Sequence, residues 1–483
     1  MRKISTKIDL LNPSKGVNQS ANKIDFFEMS YADKQSKTKL LGEKEQDLIE
    51  ESVERVRKYL IETNKSLLES SFLDKEKRQK LNSRISEFIQ RNGIAIPNID
   101  HQELVSTILD EITGFGIIQP LIDRDDITDI FVNGVSSIRY IGPNGDTIFK
   151  DPYTNEKITF SSEEEILRLA YRLVNVTEST LTTAKPYTDA ALPRLRLNIM
   201  KSDISGIGTS ISIRKSSSEL RATRERMLRT NQASLEELDF FKAAVQAKLK
   251  ILIVGGTGTG KTEFIKHLAQ HIPDNERTLV AEDDPELFLH ELYPSKHFYT
   301  FECRMTGNQE TDIPYSIGLK LGLRQHPRRI IVGESRGEEA MQMIEFFESG
   351  HSGFTSIHAE SSEEALQRLK KMCLRSGVNL SGTDILQSIA GAFDLIVVLE
   401  KLEDHNRYFT QVSEIAKFDY GSGQVILNDL FGFDYNKDDF QFNTEGKVEN
   451  LNGVHIIKNK LSERLKKKLS RSLANPELYS SLT

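Results

Sequence analysis

The stretch ILIVGGTGTGKTEFIKHL, residues 251–268, decides the fold of this chain. It opens with four apolar residues typical of a buried strand, passes through a glycine-rich turn and continues with helical periodicity. The turn matches G-x-x-x-x-G-K-[ST] through Gly255, Gly260, Lys261 and Thr262. In such a loop backbone N–H groups surround phosphates, the lysine neutralises β- and γ-phosphate charge, and the threonine hydroxyl reaches Mg²⁺. The stretch therefore predicts a P-loop that binds a nucleotide with Mg²⁺.

Phosphate binding is assigned to the whole loop and to the residue that follows it. These residues are Gly255, Gly256, Thr257, Gly258, Thr259, Gly260, Lys261, Thr262 and Glu263.

Strands and helices alternate downstream of the loop, in TLVAED, RRIIVGES, FTSIHA and DLIVVLE with helical segments between them. This alternation predicts an α/β domain with a mostly parallel sheet over residues 236–440. Upstream, short β-branched runs separated by NG and PNGD predict an α+β domain over residues 99–217. Residues 43–98 have helical spacing and predict a helical extension, and residues 218–235 are charged and unpatterned, as in a linker.

The composition excludes several classes of protein. The chain has 483 residues. Its formal charge is -7, so we expect no direct binding of nucleic acid. Its two cysteines, Cys303 and Cys373, are isolated, which excludes a disulfide framework or a cysteine-based zinc site. No segment has the apolar length of a signal peptide core or of a membrane span. These features predict a soluble, cytoplasmic protein that is peripheral to the membrane at most.

The two ends of the chain lack a clear core pattern. Residues 1–42 are polar without a sustained period and are predicted to be disordered. Residues 441–483 form a C-terminal extension in which Leu461, Leu465, Leu469 and Leu473 stand four apart among basic residues. This pattern fits a helix that binds a membrane surface or partner, and it also fits a helix packed on its own domain, which the pattern favours.

Two apolar strands end in carboxylates. TLVAED ends at Glu282, where a carboxylate could orient or deprotonate an attacking water. Asp284 and Glu286 follow it and could instead cap the next helix. RRIIVGES ends at Gly333 and Glu334, with glycine at the position where P-loop ATPases usually have an aspartate. Glu334 is therefore predicted to serve the metal, in part through water, although a helix-capping role is the alternative.

Two histidines lie in GHSGFTSIHA, residues 350–359. Zinc is improbable, because neither cysteines nor an HExxH pattern supplies further ligands. His358 ends the predicted strand FTSIHA beside the P-loop strand, so its imidazole is expected to contact a phosphate or a catalytic carboxylate and to sense hydrolysis. His351 is either a second nucleotide contact or a packing residue.

The order of GGTGTGKT, AEDDPEL, RIIVGESRG and GHSGFTSIHA resembles the Walker A, Asp box, atypical Walker B and His box of the type II/type IV secretion ATPase superfamily. Within it, ITDIFVNG, TAKPYTDAALP and SISIRK resemble the N-terminal domain of the Tad (Flp) pilus assembly branch, the CpaF-like ATPases. The likeness covers residues 100–435 and extends in helical character back to residue 43. One departure is the His box, which is one residue shorter between its histidines than in Tad-type relatives and equals the spacing of pilus retraction ATPases.

The resemblance implies a RecA-like ATPase domain after the N-terminal domain, and it implies roles for particular residues. Glu282 corresponds to the catalytic glutamate of the Asp box, and Glu334 to the Walker B glutamate, which shares Mg²⁺ with Thr262. His351 and His358 correspond to the His-box pair, the first as a nucleotide contact and the second in the catalytic set.

Four arginines complete the predicted site. Arg196 and Arg214 match basic positions that the family's N-terminal domain turns toward the phosphates; the turn before Arg196 is shorter than usual, which blurs its alignment by one residue. Arg304 and Arg324 are candidates for stabilising charge in the reaction, from the same or a neighbouring subunit, with an interface or surface salt bridge as the alternative for each.

The function that the resemblance implies is a homohexameric motor. It would hydrolyse Mg-ATP at the cytoplasmic base of a pilus or a type II/IV secretion machine, with an inner-membrane platform protein as partner. A conjugative DNA-transfer ATPase of the same superfamily is the nearest alternative. A nucleotide-dependent assembly scaffold with little turnover is the alternative from another class.

Overall fold

The computed structural model describes residues 43–483, apart from residues 144, 178, 218, 284, 304–311, 336, 338, 444, 445 and 447. The predicted disordered tail, residues 1–42, lies outside the described residues. The chain divides into two compact units, the first ending at Lys215 and the second beginning at Ser216.

The first unit combines helices with an antiparallel sheet. Its helices are α1 (Glu43–Ser70), α2 (Lys75–Arg91), α3 (His101–Thr113), α4 (Gln119–Ile122) and α5 (Glu163–Val174). Its strands are β1 (Asp129–Asn133), β2 (Ile138–Gly142), β3 (Gly145–Ile148), β4 (Tyr187–Leu192), β5 (Leu195–Met200) and β6 (Ser210–Lys215). Asp100 caps α3 by accepting the N–H of Glu103.

The strands of the first unit form a six-stranded sheet in the order β3-β2-β1-β6-β5-β4, and all neighbours are antiparallel. Along β4 exposed and buried residues alternate, as expected for a strand with one face on the core. Residues of the predicted helical extension, such as Leu60 and Leu81, share one apolar core with Ile130 and Ile213 of the sheet. Helical extension and sheet therefore form a single unit.

The second unit contains the P-loop. Its first strands are β7 (Lys250–Gly255), β8 (Thr278–Glu282), β9 (Phe298–Glu302), β10 (Arg329–Val332), β11 (Ser352–Ile357) and β12 (Leu395–Lys401). Later strands are β13 (Arg407–Asp419), β14 (Gln424–Asp434), β15 (Phe440–Phe442), β16 (Val448–Leu451) and β17 (Val454–Ile457). Its helices are α6 (Arg224–Arg229), α7 (Leu235–Gln246), α8 (Lys261–Ala269), α9 (Leu289–Leu292), α10 (Tyr315–Leu323), α11 (Ala340–Glu348), α12 (Ser362–Arg375), α13 (Gly382–Ala392) and α14 (Glu463–Ser470).

A nine-stranded sheet organises this unit, in the order β17-β14-β13-β12-β7-β11-β10-β8-β9. The six strands from β12 to β9 are parallel, and β13, β14 and β17 are antiparallel to their neighbours. All six residues of β11 are buried, which fits a strand covered on both faces by helices. The predicted fold class is confirmed: an α/β domain with a mostly parallel sheet follows an α+β domain with a helical extension.

The predicted linker and the C-terminal extension both pack against the core of the second unit. The predicted linker, residues 218–235, contains helix α6, and its Met227 is fully buried in the core of the second unit. In the tail, Leu461, Leu465 and Leu469 are buried in the same core, whereas Leu473 is fully exposed. Burying each of the three leucines contributes about 1.5–3 kcal/mol to folding. The tail helix packs on its own domain.

Membrane-spanning potential is low in the described part of the chain. There, no single helix is both long and apolar enough to cross a bilayer. Only the pair His101–Thr113 and Gly116–Ile122, bent by 85°, meets the length and composition criteria together.

Candidate active site

The P-loop connects the carboxyl end of β7 to helix α8. Gly258 and Gly260 have φ values of +75° and +96°, a conformation that glycine adopts without steric cost. A Cβ atom on Gly255 would lie 2.4 Å from the carbonyl oxygen of Leu399 on the neighbouring strand, so only glycine fits there. Because α8 begins at Lys261, its unpaired N–H groups face the loop and favour an anion.

Lys261 is buried at the centre of the loop. Its Nζ donates to the carbonyl oxygens of Gly255 and Gly256, each at 2.8 Å. The same Nζ lies 3.3 Å from Nδ1 of His358, and Nε2 of His358 lies 2.9 Å from Oε1 of Glu334. With Lys261 as an ammonium, Nδ1 accepts its hydrogen bond, and Nε2 faces the carboxylate of Glu334. One imidazole thus joins the P-loop lysine to the predicted Walker B carboxylate.

Sheet topology explains why these residues meet. Strand β11 lies between β7 and β10, and its last residue, Ile357, pairs with Val254 of β7. His358 follows directly and reaches the carboxyl edge of the sheet beside Gly255. Glu334 stands two residues past the end of β10, the strand on the other side of β11. Since parallel strands place their carboxyl ends at one edge, three segments distant in sequence converge.

Glu282, the last residue of β8, is 4% exposed. Its Oε1 accepts the N–H groups of Glu286 and Leu287, both at 3.0 Å. Burial raises the pKa of Glu282 to about 7, because loss of water disfavours the charged form more than these two hydrogen bonds favour it. A carboxylate with a pKa near neutrality can accept a proton from water.

Gly333 has a packing reason for lacking a side chain. A Cβ atom there would lie 3.2 Å from Cγ of Glu282, so an aspartate would press on the buried glutamate. The N–H of Gly333 donates to the carbonyl oxygen of Ala281 at 2.9 Å and continues the pairing of β10 with β8. Glycine at this position therefore leaves room for the side chain of Glu282.

Glu286 belongs to the site, although the sequence also fitted it as a helix cap. Its Oε2 lies 3.5 Å from Oγ1 of Thr262, whereas the following helix, α9, begins after Phe288 without a side-chain cap. Glu286 follows Glu282 by four residues, and this short separation is the sequence signal that could have predicted its place in the site.

Glu263 has a different role from the one predicted. One carboxylate oxygen accepts the N–H of Arg221 at 2.9 Å, and the other lies 3.0 Å from Nζ of Lys266. Its side chain therefore ties the segment before α6 to helix α8, and direct nucleotide binding by this carboxylate is not supported.

Arg407 is a site residue that sequence reasoning missed. Its Nε donates to the carbonyl oxygen of Gly258 at 3.0 Å, and its Cδ would lie 3.1 Å from a Cβ on Gly260. Burial and the nearby charges of Arg226 and Arg221 lower the pKa of Arg407, while Glu263 opposes this shift. Arg407 begins β13, and its position above the P-loop follows from the hairpin with β12, which no local pattern reveals.

His351 and Arg324 lie at the opposite edge of the sheet, which corrects the prediction for His351. His351 precedes β11, so the whole six-residue strand, roughly 20 Å long, separates it from His358. Its Nδ1 lies 2.9 Å from Oγ of Ser349, and its ring packs on Phe346. It cannot reach the P-loop of its own subunit. Arg324 is exposed at the end of α10, before β10 begins, and is equally remote within the subunit.

The other predicted arginines are Arg304, Arg196 and Arg214. Arg304 lies outside the described residues. Arg196 and Arg214 pair directly across β5 and β6 in the first unit, and Arg214 also pairs with Asp129 of β1, its Nε lying 3.2 Å from that carboxylate. The structure brings these two basic side chains to one face of their sheet.

A metal would find oxygen donors at the carboxyl edge. Thr262, Glu286 and Glu334 offer a hydroxyl and two carboxylates, which suit Mg²⁺. Over the described residues no group of three or more His, Cys, Asp or Glu side chains could hold a metal by itself. Mg²⁺ sites in nucleotide-binding proteins commonly combine one or two carboxylates with water and substrate phosphates.

Comparison with known proteins places the chain in a family. Residues 111–426 match the family described as Type II/IV secretion system protein. An uncharacterised protein of Bacillus anthracis is 29% identical over 333 residues, which are 68% of this chain and 71% of that protein. The type IV secretion system protein PtlH of Bordetella pertussis is 28% identical over 308 residues, 59% of this chain and 88% of PtlH.

A solved structure gives a further match. The crystal structure of the VirB11 ATPase from the Brucella suis type IV secretion system, in complex with sulphate, is 26% identical in sequence. The match covers 62% of this chain and 95% of that one, with a TM-score of 0.32. Because the family match spans more than half of the sequence, the chain belongs to the Type II/IV secretion system protein family.

Proposed function

We propose that this protein is an ATPase motor that hydrolyses Mg-ATP to power a type II/IV secretion or pilus assembly machine. The continuous contact from Lys261 through His358 to Glu334 carries the proposal. It joins the group that would neutralise the γ-phosphate to the group that would serve Mg²⁺. The similarity to PtlH, a type IV secretion system protein, supports the assignment to secretion.

The P-loop residues divide the binding work. The N–H groups of the loop and of helix α8 bind the phosphates, and Arg407 holds the loop in place through the carbonyl of Gly258. Lys261 exchanges its contacts with the loop carbonyls for phosphate oxygens. Mg²⁺, when bound to Thr262 and Glu334, supplies positive charge against the phosphates.

Glu282 provides the proton acceptor. Its pKa of about 7 leaves a large part of it ionised at neutral pH, so it can hold and deprotonate an attacking water. Glu286 and Leu287 keep the carboxylate fixed through their backbone N–H groups. Fixed donors and a preformed acceptor reduce the reorganisation that hydrolysis requires.

His358 is proposed to report hydrolysis. Because it contacts both Lys261 and Glu334, a change at the phosphate end alters its contact with the carboxylate. It stands at the end of the fully buried strand β11, so such a change acts on a rigid element. Local phosphate loss could thereby be converted into movement of larger parts of the protein.

The assembly is proposed to be a homohexamer of the Tad, CpaF-like type. Ile317, Leu321 and Leu323 of α10 are each more than 40% exposed, and such apolar residues on a single helix suit a subunit interface. In this assembly Arg304 and Arg324 would act on a neighbouring site. Arg196 and Arg214 would contact phosphates from the N-terminal domain. The partner is an inner-membrane platform protein, which would hold the motor at the cytoplasmic face.

Steady-state phosphate release from Mg-ATP tests the proposal. The wild-type protein should release phosphate, and Glu334→Gln should reduce the rate about 10²-fold or more. Glu363→Gln, an exposed glutamate in the first turn of α12, is the matched control and should retain the wild-type rate. Equal background rates for wild type and Glu334→Gln would instead indicate a scaffold that binds nucleotide without turnover.

A further inference from the structure

A cavity of about 490 Å³ opens at the amino edge of the nine-stranded sheet, at the end opposite the P-loop. Lys250, the first residue of β7, lines it, whereas the P-loop begins at Gly255, the last residue of the same strand. Ser352, the first residue of β11, forms another part of the wall. The cavity is also lined by three basic residues, Lys248, Arg328 and Lys468.

Cations outnumber carboxylates around this cavity. The buried carboxylate of Asp394 pairs with two of them, Arg464 at 3.0 Å and Lys468 at 2.5 Å, and it also accepts the backbone N–H of Lys250 at 2.9 Å. Lys248 pairs with Glu276 at 2.9 Å, and Glu276 also pairs with Arg329. The full set of cations is Lys248, Lys250, Arg328, Arg329, Arg464 and Lys468, and the carboxylates beside them are Glu276, Glu348, Asp394 and Glu414.

Lys250 shows the electrostatic consequence. Burial lowers the pKa of Lys250, and Lys468 and Arg464 lower it further, while Asp394 and Glu348 oppose the shift. Its Nζ donates only to the carbonyl oxygens of Phe347 and Gly391 among the described residues. An anion in the cavity would offset both the burial and the repulsion.

Two wall residues have capacity to bind a ligand. Within the described residues the guanidinium of the exposed Arg328 has no ion pair or hydrogen bond, although its backbone N–H is bonded. Ser352 is only 4% exposed, and its hydroxyl oxygen has no hydrogen-bond partner in the described structure. A buried hydroxyl without a partner is uncommon and costs about 1–3 kcal/mol unless a ligand or water satisfies it.

Lys248 occupies a position that normally favours glycine. It follows α7 with φ +60°, and the N–H groups of Lys248 and Leu249 close the helix end on Val245 and Ala244. A lysine in this left-handed conformation costs about 1 kcal/mol relative to glycine. The cost suits a position where the side chain has its own use at the cavity.

We propose that this cavity binds a phosphate group, carried either by a soluble small molecule or by a lipid headgroup. Phosphate is compact and has several acceptor oxygens, which match a guanidinium, ammonium groups and a hydroxyl on one wall. Because Lys468 belongs to the tail helix α14 and Lys250 to the central strand β7, an anion between them would also tie the tail to the sheet.

Binding of inorganic phosphate tests the proposal directly. The protein should carry Lys261→Ala, which weakens phosphate binding at the P-loop, and calorimetric titration should give the dissociation constant. Adding Arg328→Ala should raise that constant about tenfold, the effect of losing one charged hydrogen bond. The guanidinium of Arg328 is exposed and makes no ion pair or hydrogen bond within the described residues, so the melting temperature without phosphate should stay unchanged.

Lys467→Ala is the matched control, because this lysine lies on the same helix as Lys468 but is exposed and outside the cavity. It should leave the dissociation constant unchanged. If Lys467→Ala and Arg328→Ala weaken phosphate binding equally, the proposal is overturned, because the loss of affinity would then reflect general surface charge.

Vesicles distinguish the two sources of phosphate. The same variants are floated with phosphatidylcholine vesicles containing phosphatidic acid and with pure phosphatidylcholine vesicles. If Arg328→Ala reduces binding to the vesicles that contain phosphatidic acid and Lys467→Ala does not, the phosphate is carried by a lipid headgroup. If inorganic phosphate binding depends on Arg328 and not on Lys467, and the protein does not bind the vesicles, the phosphate is carried by a soluble ligand. If neither phosphate binding nor vesicle binding depends on Arg328, the proposal fails.

Discussion

The two edges of the nine-stranded sheet carry opposite chemistry. At the carboxyl edge, His358 contacts both Lys261 of the P-loop and Glu334, and Glu282 ends strand β8. At the amino edge, Lys250 and Arg328 lie beside a cavity. In a parallel α/β sheet helices begin near the carboxyl edge and end near the amino edge, so their dipoles favour anions at the first and cations at the second. The comparison teaches that the backbone sets the sign of charge at each edge, while buried and unpartnered side chains decide whether a ligand can bind.

The largest expected difference between the edges concerns the P-loop lysine. Lys261→Ala should lower kcat/KM for ATP by about 10²–10³-fold, because a buried cation that neutralises phosphate charge is lost. Lys417→Ala, an exposed lysine on β13, should leave kcat/KM within about twofold. A comparable loss in both variants would show that the effect is not specific to the carboxyl edge.

The second prediction concerns the packing of the tail helix α14, which carries Lys468 at the amino edge. Leu469 is fully buried and Leu473 fully exposed, four residues apart in the same segment. Leu469→Ala should lower the free energy of unfolding by about 2–5 kcal/mol, and Leu473→Ala by less than about 0.5 kcal/mol. Denaturant unfolding measures both. Equal effects would mean that the tail does not pack as described.

Glu282 should make stability depend on pH. Its pKa of about 7 in the folded protein lies above the ordinary value of 4.5. The folded protein therefore retains a proton that the unfolded chain has lost, so stability is full below pH 4.5 and falls as pH rises through 7. Glu282→Gln removes this loss and should be more stable than wild type at pH 8 by about 3 kcal/mol.

A matched carboxylate controls this prediction. Glu363 is exposed in the first turn of α12, and its charge is not among those that shift the pKa of Glu282. Glu363→Gln should keep the pH dependence of wild type in the same unfolding series. A flat profile for wild type between pH 5 and 8 would contradict the elevated pKa of Glu282.

The two histidines give the smallest expected effect and the sharpest contrast. His358→Ala should lower kcat about 10–100-fold, the effect of losing a charged hydrogen bond in the relay between Lys261 and Glu334. His351→Ala should leave kcat within about twofold, since His351 lies at the other end of β11. A large loss of kcat in His351→Ala would show that this residue acts on the site of a neighbouring subunit.

Much of the carboxyl edge could be predicted from the sequence because its residues follow apolar strands directly. The glycine spacing of the P-loop and the acids after β8 and β10 identify positions whose geometry the strand ends impose. His351 was misplaced because family position, rather than strand direction, assigned it. Arg407 was missed because its place above Gly258 depends on the pairing of β12 with β7, which local patterns do not encode.

The side-chain details of the site also depended on tertiary structure. The reason for Gly333 is the volume of Glu282 on the adjacent strand, a contact between residues 51 positions apart. The amino-edge cavity combines the starts of two strands with the tail helix, so no single stretch of sequence indicates it.

The central claim is that Glu282 at the carboxyl edge promotes attack of water on bound ATP. Phosphate release and ATP binding should be measured on the same samples of wild type and Glu282→Gln, between pH 5.5 and 8.5. The wild-type rate should rise as pH passes through about 7, and Glu282→Gln should bind ATP but release phosphate about 10²–10⁴-fold more slowly at pH 8. Equal rates for the two proteins at pH 8, with equal ATP binding, would contradict the account.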